Sequence, residues 1–462
     1  MLQQLQRKLT RVRRKPDSAD SVGATLPEEM LISILSHLAD HWSPPANDLW
    51  IWMLTREVHR KTLLSCALVC RSWNAATTRI LYVSLRPADA RSCILLVRTL
   101  RQRVDLRDYI KFLQFPDDNI SDRLPYRNQE TRTSRLTGVR RRAELIDALT
   151  QLTRHENTPN IRGAEFPMND TSSLLENGFI TFNEGLGCGL QYLCVEGVVP
   201  AGWPLFNSNA VFRDLITLRV ANTNLFGYYR CTTAFTEADL QQLFPVLQEL
   251  ILDSVDTQDA ALSIVLDALG DTLRSLTLFD SVLDSGLTQR TPEETIQDLN
   301  HGLEIWYSGL NFKPIALKLH QLTVFSGGER PPSPTLSLGD MQVSLSYYPD
   351  LRELGIDSYV VGHIVDLPPL LHSVTIYYSP YDTGLKPLLR VIDDVNRRMQ
   401  QWKSAAPQWQ HLRLRLSHCR LESVSTAKLI AFMLHESLRR VHVESSTEIW
   451  YVYEAQPRYT NV

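Results

Sequence analysis

One short pattern, repeated along the chain, limits its fold more than any other feature. "LQYLCVEGV" at 190, "LITLRVANT" at 215, "LQELILDSV" at 247, "LRSLTLFDS" at 273, "LHQLTVFSG" at 319, "LRELGIDSY" at 351 and "LHSVTIYYS" at 371 share L-x-x-L/V-x-L/I/V. "HLRLRLSHC" from 411 and "LRRVHVESS" from 438 fit as well; "IKFLQFPDD" from 110 and "IRGAEFPMN" from 161 fit more loosely. The last two apolar positions of each unit are two apart, the strand period, so both face one side. The first, three residues earlier, turns in ahead of the strand. The side chains between the apolar positions (Cys194, Arg219, Ile251, Thr277 and Gly355) are expected to point outward, away from the leucines.

Helical stretches sit between these strands. "DAALSIVLDALG" ends in Gly270, a C-cap residue. "TPEETIQDLNHGLEIWYSGL" opens with Thr291, Pro292 and Glu294, a capping box. "LKPLLRVIDDVNRRMQQW" and "STAKLIAFMLHESL" are similar. Strand and helix in alternation at a loose period resemble a leucine-rich repeat. From residue 190 onward the repeat starts are 25, 32, 26, 46, 32, 20, 40 and 27 residues apart. Half of these exceed the usual 20–29, so insertions are frequent. The resemblance implies an α/β fold: an irregular leucine-rich-repeat-like solenoid with a parallel sheet, over residues 87–462. Each strand buries its leucines against neighbouring units.

The N-terminal part differs. In "LPEEMLISILSHL", residues 26–38, Pro27, Glu28 and Glu29 suit the first turn of a helix. Met30, Leu31, Ile34, Leu35 and Leu38 then recur at helical spacing, and Ile32 widens the apolar surface beyond one face. In "LLSCALVCRSWNAA", residues 63–76, Cys66, Cys70 and Trp73 read as i, i+4 and i+7 on one helical face. Zinc wants four ligands, and His37, His41 and His59 stand at spacings that match no familiar set. A redox pair is usually spaced C-x-x-C. The two cysteines therefore read as packed, buried core residues.

These two segments, followed by "TTRILYVSL", resemble the F-box motif of many fungal F-box proteins. The matching positions are Leu26, Pro27, Glu29, Ile34, Leu38, Leu64, Val69, Cys70, Arg71, Trp73, Leu81 and Tyr82. Residues 39–62 are an insertion, longer than the usual link between the two halves. The resemblance implies a helical module over 26–86 that docks on a Skp-family adaptor. Its implied adaptor-binding residues are Leu26, Pro27, Met30, Ile34, Leu38, Leu64, Val69, Cys70 and Trp73.

Residues 1–25 read as a disordered basic tail around Arg7, Lys8, Arg11, Arg13, Arg14 and Lys15. A nuclear-import signal and an amphipathic presequence are its other readings. A flexible Arg-rich insertion falls at about 119–142; residues 121–142 carry seven arginines against two acids. The seven cysteines are odd in number and scattered, which argues against a disulfide framework and for a reducing, cytoplasmic or nuclear setting. No apolar run approaches the roughly 18 residues of a membrane helix. A net charge of −3 over 462 residues favours neither nucleic acid nor an anionic membrane.

Motifs for chemistry are lacking. "GLGCGL" at 185–190 precedes a strand instead of following one and reads as a turn. No catalytic residue, cofactor or metal site is expected. The resemblance implies the substrate-recognition subunit of an SCF-type cullin-RING ubiquitin ligase. The F-box would hold the adaptor and, through it, a cullin; the repeats would hold a protein target, at Arg219, Ile251 and Thr277. Two other readings stand beside it: an F-box interaction protein outside a cullin complex, and an enzyme whose site is assembled from residues far apart in sequence.

Overall fold

The computed structural model describes residues 26–36, 61–87, 90–114, 147–148, 151–152, 156–168, 189–197, 212–221, 237–253, 256–257, 266, 268–279, 282–283, 318–325, 343–345, 348–378, 385–417 and 424–450. The capping-box segment at 291–310, the basic tail and the Arg-rich insertion lie outside these residues, as do nearly all of the 39–62 insertion and most of "DAALSIVLDALG". The chain forms two compact units. One comprises residues 1–167 and 173–192, the other 168–172 and 193–462.

The first unit is helical, then parallel-stranded. Helices α1 (Glu28–Ser36), α2 (Arg71–Val83) and α3 (Ala90–Gln102) are joined by strands β1 (Ser84–Leu85), β2 (Phe112–Gln114) and β3 (Gly163–Met168). Leu85 pairs with Leu113, and Leu113 with Ala164, all in parallel. The two loosely matching segments, at 110 and 161, therefore do form strands.

The remaining nine segments each contain a strand: β4 (Tyr192–Gly197), β5 (Thr217–Ala221), β6 (Glu249–Asp253), β7 (Ser275–Phe279), β8 (Gln321–Phe325), β9 (Glu353–Asp357), β10 (Ser373–Tyr378), β11 (His411–Ser417) and β12 (Glu444–Trp450). From β5 to β12 the strands neighbour one another in chain order, all parallel. Leu218, Leu250, Leu276, Leu322, Leu354, Val374 and Leu412 form one row, and the apolar residues two positions on form the next. Both rows are buried. Ahead of four of the strands the inward residue closes a turn: Leu215, Leu247, Leu351 and Leu371 each donate an N–H to the carbonyl three residues back.

The register corrects the sequence reading at two places. Leu412 stands opposite Val374, so the inward position of that unit is Trp409, fully buried, and not a residue at 411. In "LRRVHVESS" the strand starts only at Glu444, which pairs with His411. His442 has φ 56 and adds one residue to the turn, so Val441 and Val443 precede the strand. Histidine is among the few non-glycine residues enriched in that left-handed region.

Two of the expected helices form as α5 (Leu385–Ala405) and α6 (Val424–Arg439), preceded by the short α4 (Glu237–Leu243). Helix α5 packs on residues 358–366. Arg398 Nη2 donates to the Gly362 carbonyl at 2.5 Å, Gln401 Nε2 to Val365 at 2.8 Å and Trp402 Nε1 to Ile364 at 3.4 Å.

Gly355 has no room for a side chain. A Cβ there would stand 2.8 Å from both Cγ2 and Oγ1 of Thr323, its neighbour on β8, and 3.0 Å from Tyr377 Cε2. Gly355→Ala is expected to cost about 1–3 kcal/mol through overpacking. Adding Thr323→Ala should recover part of that loss in urea unfolding, because both close atoms belong to that one side chain.

Candidate functional site

The helical module has an apolar inside and an apolar outside. The Pro27 carbonyl accepts the N–H groups of Met30 and Leu31, both at 3.1 Å, and starts α1. Leu31 and Leu35 then face inward, onto Leu63, Ala76 and Ile80. Leu26, Ile32, Cys66, Trp73 and Leu81 pack around this cluster, partly buried. An ion pair of 3.1 Å between Arg79 and Glu28 ties α2 to α1. Both partners are substantially exposed, so the apolar cluster, not the ion pair, holds the module together.

The other side of the same segments faces solvent. Met30 is 51% exposed, Ile34 48%, Leu68 51% and Val69 63%. The i, i+4 pair Met30 and Ile34 is the half of α1 that its own core leaves out. Leu68 and Val69 are held out by a turn: Leu68 N–H donates to Ser65 O and Val69 N–H to Cys66 O, each i→i−3. Asn74 Nδ2 donates to the Ala67 carbonyl at 2.9 Å and secures that turn.

The turn also overturns the placing of the cysteines on one helical face. Residues 61–66 are helical, 67–69 turn, and Cys70 is the extended N-cap of α2, at φ −158. A continuous helix would need i→i−4 bonds where this turn makes i→i−3 ones. Cys66 and Cys70 are free thiols and only half-buried, less buried than the core reading expected. Among the described residues, no three His, Cys, Asp or Glu side chains come together as metal ligands would.

Of the nine residues expected to meet an adaptor, Pro27, Met30, Ile34 and Val69 are exposed. Leu26, Leu64, Cys70 and Trp73 are half-buried, with Leu26 and Trp73 against the inner cluster. Leu38 lies outside the described residues. Leu68, outside the nine, is exposed beside Val69; the signal for it is an adjacent apolar pair that one inward face cannot absorb.

The expected target-binding positions require a correction. Cys194, Arg219, Ile251 and Thr277 are buried, at 0%, 4%, 0% and 3% exposure, so they are not open surface. A parallel sheet is commonly covered on both faces. Strand alternation places these side chains opposite the leucines but does not report what lies over them. This second face mixes apolar residues with paired polar ones. Arg219 Nη2 meets Asp253 Oδ2 at 2.6 Å, and Thr217 donates to Glu249 Oε2 at 2.7 Å.

Burial holds the Glu249 carboxyl above the usual carboxylate range, and the Thr217 hydroxyl draws it only partly back. Between the ordinary and the raised value the folded chain binds more protons than the unfolded one, so stability falls as pH rises through that window. Glu249→Gln, which removes the ionisation, should raise the melting temperature at pH 7 and leave it unchanged near pH ~3, well below the usual carboxylate value of about 4.3. Thermal unfolding at the two pH values checks this.

Comparison with known families agrees with this module. The family model described as F-box-like matches residues 24–86. No curated protein matches the chain. The chain thus carries a helical F-box-like domain followed by a parallel-stranded α/β region, and an F-box-like domain supports binding of a Skp-type adaptor in ubiquitin ligase complexes. Among the described residues, no helix is long and apolar enough to cross a membrane.

Proposed function

We propose that this chain is the substrate-recognition subunit of an SCF-type cullin-RING ubiquitin ligase. The F-box-like domain takes a Skp-family adaptor and, through it, a cullin. The stranded region takes a protein target. The chain performs no chemistry itself; it raises the target's effective concentration near the ubiquitin-charged enzyme. Its setting is the cytoplasm, the nucleus or both.

The observation that carries this reading is the outward set Met30, Ile34, Leu68 and Val69, held over the inner cluster of Leu31, Leu35, Leu63, Ala76 and Ile80. An exposed group of large aliphatic side chains in so small a module is what a helical partner would bury. The repeat reading is supported by eleven motif segments that each contain a strand, with β5 to β12 parallel and in register. On this reading the region is an irregular leucine-rich-repeat-like solenoid.

Affinity capture of the tagged full chain from cells tests the proposal. Recovery of adaptor and cullin together supports it. Adaptor without cullin would move the protein to a role outside cullin complexes, and recovery of neither would overturn the reading.

A further inference from the structure

Each inward residue is followed by one position that lies ahead of the strand ladder. In six successive strands this position is Gln248, Arg274, His320, Arg352, His372 and Gln410. Their backbones bond in sequence. Arg274 N–H donates to Gln248 O at 2.7 Å, His320 to Arg274 at 2.8 Å, Arg352 to His320 at 2.8 Å, His372 to Arg352 at 2.7 Å and Gln410 to His372 at 2.9 Å. The six positions therefore form one column along the N-terminal rim of β6–β11. Its step is the strand spacing of about 4.8 Å, so the four central residues span about 14 Å.

Those four alternate Arg, His, Arg, His. Arg352 and His372 are exposed; Arg274 and His320 are half-buried. Arg274 Nη1 donates to the Leu273 carbonyl at 3.0 Å, which fixes its head at the rim. The His372 ring meets the His411 ring edge-on at 5.0 Å. Arg352 and His320 make no side-chain hydrogen bond or ion pair with any described residue. Among the described residues, the neighbouring acids pair elsewhere: Asp271 lies 3.3 Å from Lys318, and Glu444 faces His411 at 3.4 Å. Asp350 and Glu353 flank Arg352 in sequence, yet Arg352 pairs with neither. Adjacent strands commonly set opposite charges side by side; here cationic and imidazole groups stack four deep with no acid in the column.

We propose that this column docks an acidic, Asp- and Glu-rich helical segment of the protein target. The proposal rests on the substrate-receptor reading above and names the chemistry of what is received. An arginine fork donates two parallel bonds to a carboxylate, and each imidazole donates one more. Carboxylates at i, i+3 and i+4 of a helix stand about 5–6 Å apart, near the rim step. Same-face side chains of an extended strand stand about 6.8 Å apart and drift out of step after two contacts. Nucleic acid is the poorer occupant: two arginines fall well short of the roughly 6–10 phosphate contacts of a typical reader.

The test uses the full chain co-purified with its adaptor. A labelled alanine-rich helical peptide with glutamates at i, i+4, i+7 and i+11 is titrated by fluorescence anisotropy, alongside a labelled thymidine 20-mer. The peptide should bind, weaken as salt rises, and bind at least 10-fold more weakly to Arg274→Ala/Arg352→Ala. An off-column control, Arg439→Ala/Arg440→Ala, should stay within about twofold of the parent. Undiminished peptide binding by the column variant, no binding by the parent, or tighter binding of the thymidine oligomer would each overturn the proposal. Adaptor capture by the column variant reports folding. Loss of adaptor by the parent chain would fail the receptor reading instead, so the two failures are distinguishable.

Discussion

Replacing Ile34 and Val69 together with aspartate should abolish adaptor capture and leave the chain folded. Both side chains are already about half exposed or more, at 48% and 63%, so a charge there stays in water in the free protein and costs the fold little. In the complex the same charges would be buried against aliphatic surface with no partner. A single anchor of this kind is worth about 2 kcal/mol, roughly 30-fold in affinity, so the pair should weaken binding about 100-fold or more. Leu31→Asp provides the contrast. Leu31 is fully buried in the inner cluster, and a carboxylate there should unfold the module and lose the adaptor by a different route. Circular dichroism beside a pull-down separates the cases: the outward pair keeps native helicity, and Leu31→Asp does not. Undiminished capture by the outward pair would remove these residues from the interface.

Much of this architecture is readable because strand and helix write different periods into the chain. The L-x-x-L-x-L spacing marks which residues share a face, and all eleven marked segments contain strands. What the period cannot carry is what covers the opposite face. Arg219, Thr277 and Asp253 are chemically suited to solvent, yet all are buried. Phase errors came from single residues. Trp409 does the work of a leucine but hides from a search for leucine, and His442 absorbs a residue that a fixed spacing would place in the strand. The docking module was legible as a set of apolar positions. Its division into an inner and an outer set was not, because Met30, Leu31, Ile34 and Leu35 follow one another around a single turn-to-turn pattern. Only the placing of Leu63, Ala76 and Ile80 decides which side is core. Similarly, the rim column lay in plain view in "LRSL", "LHQL", "LREL" and "LHSV". It becomes meaningful once register stacks those second positions.

Trp409→Ala should be among the most damaging single changes in the stranded region, lowering stability by about 3–5 kcal/mol in denaturant unfolding. Trp409 and Trp402 are both fully buried and meet edge to face, with ring centroids 5.9 Å apart and planes at 70°. Each indole N–H is used: Trp402 donates to the Ile364 carbonyl at 3.4 Å and Trp409 to the His411 carbonyl at 2.9 Å. The Lys403 ammonium donates to the Trp409 carbonyl, tying the end of α5 to the start of β11. One residue therefore fills the inward position of its strand, meets a ring of the preceding helix edge to face and bonds the backbone two residues ahead. Truncation removes all three and leaves a cavity that flanking strands, fixed in parallel register on β10 and β12, cannot collapse into. Trp409→Leu restores the residue type used at 215, 247, 273, 319, 351 and 371 and should cost about half as much, since it keeps apolar burial but loses the ring contact and the N–H. In a double-mutant cycle with Trp402→Ala, the coupling between the rings should be about 0.5–1.5 kcal/mol. Additive losses would mean that each ring acts through its own surroundings, and a Trp409→Ala loss under about 1 kcal/mol would show that the position tolerates collapse.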